Sequence, residues 1–253
     1  MKLVLAGTSD ARELCVKLKE AGHLLTATVV TESAKESLEQ SGIPVRVGRL
    51  PVEGFVSLIK EIDAKCIIDA SHPFAEEAHR TAMEAAKRVN IPYIRFERPG
   101  LVYDNHPLIT IVNSYEEAAR IAKERKGNIM LTTGSKTLEV FAKYLLDDPE
   151  INVCCRMLPR KDNMEKCEAL GFPQKNIIAM QGPFIKELNV ALYRQYRTTL
   201  MITKESGKVG AVDEKVTAAI ELGIEVIIIS RPQIEFGEVY TDFEGILARI
   251  ESE

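Results

Sequence analysis

The sequence predicts an α/β protein of two halves, each a parallel β-sheet flanked by helices. Three observations carry this. Short runs rich in β-branched residues alternate with longer stretches whose apolar residues recur at three and four. The order is strand, helix, strand throughout, which builds parallel sheets covered on both faces. The alternation breaks once, between Glu97 and Pro107, where Pro99, Gly100, Asp104, Asn105, His106 and Pro107 make a linker composition.

In the first half, Lys2–Ala6, Leu24–Val30, Val45–Val47, Lys65–Asp69 and Tyr93–Phe96 read as strands. Helical stretches lie between them, near Asp10–Ala21, Ser33–Ser41, Val52–Ile62 and Phe74–Val89. The last shows the period clearly at Ala78, Ala82, Ala85, Ala86 and Val89. Gly22 and Asn90 sit where helices should end. In the second half the strands are Leu108–Val112, Ile129–Thr132, Ile151–Cys155, Ile177–Met180, Thr199–Ile202 and Glu225–Ile229. Helices fit near Tyr115–Glu124, Thr137–Leu145, Lys161–Ala169, Ile185–Arg194, Asp213–Leu222 and Phe243–Ile250. The expected architecture is two small Rossmann-like halves with a cleft between them. Their expected bounds are residues 1–98 and 99–253, with the last segment free to pack back on the first half.

The chain of 253 residues is long enough for one large domain or two small ones. Its 33 basic and 37 acidic residues leave a formal net charge of −4. That is the wrong sign for a chain built around nucleic-acid phosphates or anionic lipid. No apolar run approaches the roughly 20 residues of a membrane span, and Met1–Gly7 is too short an apolar stretch for a signal peptide. Five cysteines, Cys15, Cys66, Cys154, Cys155 and Cys167, form no C-x-x-C pair and no spaced zinc ligand set. Free thiols in a reducing cytoplasm are the expectation. No metal site and no nucleic-acid or membrane partner is expected, and the oligomeric state is left open.

Ligands of open α/β sheets bind beyond the carboxyl ends of the strands. Four strands here end in small, hydroxyl-bearing residues: Gly7-Thr8-Ser9-Asp10, Ala70-Ser71-His72-Pro73-Phe74, Thr132-Thr133-Gly134-Ser135-Lys136 and Thr203-Lys204-Glu205-Ser206-Gly207. Backbone N–H groups and hydroxyls at helix starts suit a phosphate or carboxylate. The same residue types also serve as N-caps whatever the function. All four loops are expected on one sheet edge, where together they favour a ligand cleft over simple capping. The first loop has one glycine, not the three of G-x-G-x-x-G. Glu32, just past the second strand, is placed to bond a ribose 2′-hydroxyl, and no cation follows until Lys35, which leans to NADH over NADPH. It is equally suited to complement the dipole of its helix. His72 is read as a general acid or phosphate-orienting group, or as part of a helix start with Pro73 in the first turn. His23, His79 and His106 carry no constellation. P-loop, H-E-x-x-H and G-x-S-x-G signatures are absent, as is a tyrosine followed by lysine four residues later. A cofactor that brings its own reactivity is the economical mechanism.

Six segments in order resemble those of the precorrin-6A reductases of cobalamin biosynthesis. Asp69-Ala70-Ser71-His72-Pro73-Phe74-Ala75 resembles D-A-[ST]-H-P-F-A, and Arg95-Phe96-Glu97-Arg98-Pro99 resembles R-x-x-R-P. Thr132-Thr133-Gly134-Ser135-Lys136, Gly182-Pro183-Phe184 and Thr203-Lys204-Glu205-Ser206-Gly207 resemble T-T-G-[SR]-K, G-P-F and T-K-[DE]-S-G. Lys215, Ala218, Ala219 and the late Arg231-Pro232 follow. Ala6 departs from the family's usual Gly-Gly-Thr, removing one position of close backbone approach.

The resemblance implies an NAD(P)H-dependent oxidoreductase acting on a CH–CH group. It would pass a hydride to a ring double bond of precorrin-6A or its cobalt complex, giving precorrin-6B or its cobalt complex. On this reading His72 is the catalytic candidate, with water as the other proton source. Gly7, Thr8, Ser9, Glu32, Ser71, Thr133, Gly134 and Ser135 would hold NADH or NADPH. Phe74, Arg98, Lys136, Lys204, Ser206 and Lys215 would hold the tetrapyrrole, and Arg156 and Arg160 are further cationic candidates for its carboxylates. The alternatives are a non-catalytic tetrapyrrole or nucleotide-binding protein of the same fold, and an unrelated nucleotide-dependent α/β enzyme.

Overall fold

The computed structural model describes residues 1–97, 99–100, 106–205 and 213–252. The chain divides into two compact units, one of Met1–Pro99 with Pro232–Glu253, the other of Gly100–Arg231. Strands and helices are numbered along the whole chain.

In the first unit β1 (Lys2–Leu5), β2 (Leu25–Val29), β3 (Val45–Val47), β4 (Cys66–Asp69) and β5 (Tyr93–Phe96) alternate with α1 (Ser9–Glu20), α2 (Glu32–Glu39), α3 (Val52–Glu61) and α4 (Glu76–Val89). All strand pairs are parallel. β2 and β4 are buried at every residue, as central strands covered on both faces must be. One face packs Leu14, Leu18 and Cys15 of α1 against Val4, Ala27 and Ile68. The other packs Phe55, Leu58 and Ile59 of α3 and the alanines of α4 against Leu3, Leu5 and Ile67. Thr8 and Thr31 cap α1 and α2, each side chain accepting an N–H three residues on. Asn90 ends α4 in the left-handed region, at φ 55°.

Two features depart from the sequence expectation. A sixth parallel strand, β12 (Glu238–Tyr240), joins the first sheet beside β5; α10 (Phe243–Glu251), whose packing back on the first half the sequence left open, follows it into the same core. Phe243 sits 4.9 Å from Phe96 between ring centroids, and Ile246 is fully buried. Three residues, Glu-Val-Tyr, are too few for a period to show. The strand forms because β5 otherwise has an open edge, and the Glu97 N–H donates to the Tyr240 carbonyl at 2.9 Å. The second departure is at α4, which starts at Glu76 rather than Phe74. Pro73 therefore lies before the helix, in a loop whose Ala75 N–H donates to the His72 carbonyl at 2.7 Å.

The second unit repeats the plan with β6 (Ile109–Val112), β7 (Gly127–Leu131), β8 (Ile151–Met157), β9 (Ile177–Ala179), β10 (Leu200–Lys204) and β11 (Glu225–Ile229). Its helices are α5 (Tyr115–Arg125), α6 (Leu138–Leu145), α7 (Lys161–Ala169), α8 (Lys186–Gln195) and α9 (Glu214–Glu221). The five cysteines are buried free thiols, and burial pushes Cys15 and Cys154 up to about 12. They are neutral core residues. No helix of the described residues is long and apolar enough to cross a membrane.

Strand order fixes where each unit can take a ligand. The first sheet runs β12-β5-β4-β1-β2-β3 and the second β6-β11-β10-β7-β8-β9. From β1 the chain moves outward to β2 and β3, then returns to β4 on the other side. From β7 it moves to β8 and β9, then returns to β10. Each reversal opens a crevice between the carboxyl ends of two neighbouring strands, β1 and β4 or β7 and β10.

Candidate functional site

The four hydroxyl-rich loops follow these same four strands. They do not share one sheet edge, as the sequence reading expected, but divide two and two between two sheets. The physical reason is that each half closes its own six-stranded sheet.

In the first unit, Gly7, Thr8 and Ser9 form the β1–α1 turn. Gly7 has φ +136°, and a Cβ built there meets no atom within 4 Å, so a ligand can approach the backbone closely. The Thr8 hydroxyl accepts from the Ala11 N–H at 3.1 Å and donates to the Ala70 carbonyl at 3.4 Å, tying the β1 turn to the β4 turn. Ser9 is exposed at the first turn of a twelve-residue helix. Glu32 is exposed at the start of α2, and Lys35 donates to its carboxylate at 3.4 Å. Lys35, the first cation after Glu32 in the sequence, is thus its direct partner.

Beyond β4 lies the most densely bonded polar cluster of this unit. Asp69 is fully buried. Its Oδ1 accepts from the Ser71 N–H (2.9 Å), the Ser71 hydroxyl (2.6 Å) and Arg95 Nη1 (3.1 Å). Its Oδ2 accepts from the Tyr93 hydroxyl (2.6 Å) and meets His79 Nδ1 at 2.7 Å. Burial pushes the Asp69 carboxyl up, but the His79 hydrogen bond, the Arg95 charge and the Ser71 bond outweigh it. The group is held well below the usual carboxylate range. Burial and the neighbouring Asp69 push the Tyr93 hydroxyl far above its ordinary value. Arg95, 1 % exposed, also donates to the carbonyls of Asp69 (3.1 Å) and Ser71 (2.9 Å), and Nε bonds Glu97 at 3.2 Å. Phe236 covers the cluster. Its ring lies edge-on to His79 at 5.2 Å, stacks with Tyr93 at 6.5 Å and carries the Arg95 guanidinium at 5.1 Å.

His79 therefore does carry a constellation, against the sequence expectation. The signal was present in α4, where His79, Ala82 and Ala86 lie at i, i+3 and i+7 on the buried face. A histidine in an apolar stripe needs partners, and Asp69 and the Pro73 carbonyl, 3.3 Å from Nε2, are these. His72 points elsewhere. It is exposed, its Nδ1 accepts from the Phe74 N–H at 3.2 Å, and its ring lies 5.8 Å from that of Phe74.

In the second unit, Thr132 ties the end of β7 to β10. Its N–H and hydroxyl donate to the Ile202 carbonyl at 2.9 and 3.1 Å. Thr133 is buried and its hydroxyl accepts from Thr137 at 3.2 Å, which turns its side chain inward. Gly134 has φ +81°, and a Cβ built there meets nothing within 4 Å, while Ser135 and Lys136 follow before α6. Lys204 ends β10. Burial first, and then the charges of Lys136 and Lys215, lower its pKa from the ordinary lysine value. These three predicted cations thus share one electrostatic neighbourhood, and Lys215 Nζ also bonds Asp213 at 3.1 Å. The nearby Arg231 pairs with Glu205 at 3.3 Å, joining two of the motif segments.

Arg156 and Arg160 have partners of their own, although Arg156 also feels the charge of Asp213, the partner of Lys215. Arg156 is buried, donates to Asn189 Oδ1 at 2.7 Å and lies 4.0 Å over the Phe184 ring, so its partners are structural. Arg160 is exposed and pairs with Asp162 at 2.9 Å. Arg98 and Ser206 lie outside the described residues.

The sequence pattern of the family described as precorrin-6x reductase CbiJ/CobK matches residues 2–251. A cobalt-precorrin-6A reductase of Priestia megaterium is 57% identical over 98% of this chain and 96% of its own. One from Methanothermobacter thermautotrophicus is 41% identical over 92% of this chain and 76% of its own. A solved CobK precorrin-6A reductase aligns over 99% of this chain and 96% of its own, with TM-score 0.80 at 23% identity, which shows the shared fold.

Proposed function

The chain belongs to the precorrin-6x reductase CbiJ/CobK family, and from that we propose that it reduces a ring double bond of cobalt-precorrin-6A with a hydride from NADH. The observation that carries this is the family match along residues 2–251, together with a relative named cobalt-precorrin-6A reductase at 57% identity. The cobalt form is preferred over the metal-free one because the two relatives above are named for it. The metal here belongs to the substrate.

The dinucleotide, when bound, supplies the hydride. The chain supplies position. The open backbone at Gly7 and the first turn of α1 suit the pyrophosphate. Glu32, beyond β2, accepts from a ribose 2′-hydroxyl, and its ion pair with Lys35 is the contact that a 2′-phosphate would contest. Lys136, Lys204 and Lys215 suit the carboxylates of the macrocycle; burial and then the charges of the other two lower Lys204, so an anion there relieves both. The proton for the neighbouring ring carbon comes from His72 or water.

The test is direct. The protein incubated anaerobically with cobalt-precorrin-6A and NADH should oxidise one NADH per macrocycle. No oxidation of either NADH or NADPH, with the cobalt or the metal-free substrate, refutes the assignment.

A further inference from the structure

We propose that Ser71 acts in dinucleotide binding as a hydrogen-bond acceptor only, taking a donor from the nicotinamide half of the cofactor rather than a phosphate oxygen. This deepens the function proposed above and rests on it.

The argument is an accounting of one residue's hydrogen bonds. Ser71 has three polar groups. Its N–H donates to Asp69 Oδ1 at 2.9 Å, and its carbonyl accepts from Arg95 at 2.9 Å. Its hydroxyl lies 2.6 Å from the same Oδ1. That Oδ1 already accepts from the Ser71 N–H and from Arg95 Nη1, so it carries no hydrogen of its own, and the hydroxyl hydrogen is committed to it. What remains for a ligand is the pair of lone pairs on Oγ. His79 Nδ1 approaches that oxygen only distantly, at 3.4 Å, while making its short 2.7 Å contact with Asp69. Phosphate oxygens are acceptors and find no hydrogen here. A ribose hydroxyl or a carboxamide N–H does find a partner.

Topology says which half of the cofactor would meet it. Across a strand-order reversal the pyrophosphate sits at the first βα turn, with the adenosine ribose toward the acidic residue after β2. β2 and β4 flank β1 on opposite sides, so the β4 loop faces the other half, the nicotinamide riboside. The buried cluster then has a purpose beyond stability. Arg95, Tyr93 and His79 hold the Asp69 carboxylate, and the carboxylate fixes the direction of one hydroxyl. Among the described residues of these loops, Thr8 and Thr132 have hydroxyls bonded to main-chain carbonyls, whereas the Ser71 hydroxyl is oriented by a buried carboxylate.

The experiment uses the full chain and measures dissociation constants by calorimetry for NADH, ADP-ribose and ADP. Three proteins are compared: unmodified, Ser71→Ala and Ser71→Thr. One hydrogen bond to a neutral donor corresponds to about 0.5–1.5 kcal/mol, or roughly 2- to 13-fold. Ser71→Ala should weaken NADH by about that factor and leave ADP within about twofold. Ser71→Thr, which keeps the oxygen, should restore NADH binding. Equal weakening of ADP-ribose would identify the donor as a ribose hydroxyl, and weakening of NADH alone would identify the carboxamide. An equal loss for ADP would show a phosphate contact and overturn the proposal, as would unchanged NADH affinity. An unmodified protein that binds neither NADH nor NADPH would instead overturn the cofactor reading beneath it.

Discussion

Asparagine at position 69 should remove several kcal/mol from the stability of the first unit. The side chain keeps its shape but loses its charge and one acceptor. If the amide oxygen stays at the Oδ1 position, the NH₂ group faces the Tyr93 hydroxyl and His79 Nδ1, two groups now 2.6 and 2.7 Å from an oxygen. Two unmatched buried donors cost about 1–3 kcal/mol each. Arg95, 1 % exposed, keeps only Glu97 as a counter-charge. Breaking a buried pair from one side costs about 3–5 kcal/mol. The two routes overlap in the same bonds and agree near 4 kcal/mol, roughly 8–16 °C in Tm for a chain of this size. Urea unfolding followed by circular dichroism measures it, with Arg95→Met and the double variant completing a cycle. The two changes should couple by more than about 1 kcal/mol. A loss under about 1 kcal/mol for Asp69→Asn, or additivity within about 0.5 kcal/mol, would refute the claim that this carboxylate organises the cluster. The pH dependence has a definite sign. The folded-state pKa lies below the unfolded one, so the stabilisation is full above the ordinary carboxylate range and is lost as pH falls through it toward the depressed value. Asp69→Asn should flatten that acid limb.

Three further outcomes are expected. Gly134→Val places a β-branched residue at φ +81° and fills the open side of the β7 turn, so KM for cofactor or macrocycle should rise at least tenfold; unchanged kinetics would put this loop outside the site. Lys204 carries a lowered pKa, so it loses its proton below the ordinary lysine value, and KM for the polycarboxylate should begin to rise on the alkaline side before pH 10.5. Lys204→Arg, which stays charged, should move that rise upward, and a superimposable pH profile would exclude Lys204 from substrate binding. Ile246→Ala in α10 should cost about 2–5 kcal/mol in urea unfolding, because the side chain is fully buried in the core of the first unit; a cost under about 1 kcal/mol would show that this helix does not support that core.

The sequence by itself determined the elements and the hydroxyl-bearing loops between them. Periodicity and capping are local signals, written within some ten residues, and they located β1 to β11 and the ten helices to within a few positions. The loops after β1, β4, β7 and β10 were legible because hydroxyls and glycine follow apolar runs there, and the ordered segments from Asp69 to Pro232 were specific enough to identify the family. The tertiary structure alone decided which loops are neighbours, because strand order depends on the direction of each crossover and leaves no mark in a linear pattern. It decided that the four loops fall on two sheets, and that β12, three residues long, completes the first one. It also decided the role of Asp69. Its partners at 71, 79, 93 and 95 come from a loop, a helix and a neighbouring strand, and no spacing rule connects them. They converge because a buried carboxylate must find its donors inside the fold, wherever packing brings them.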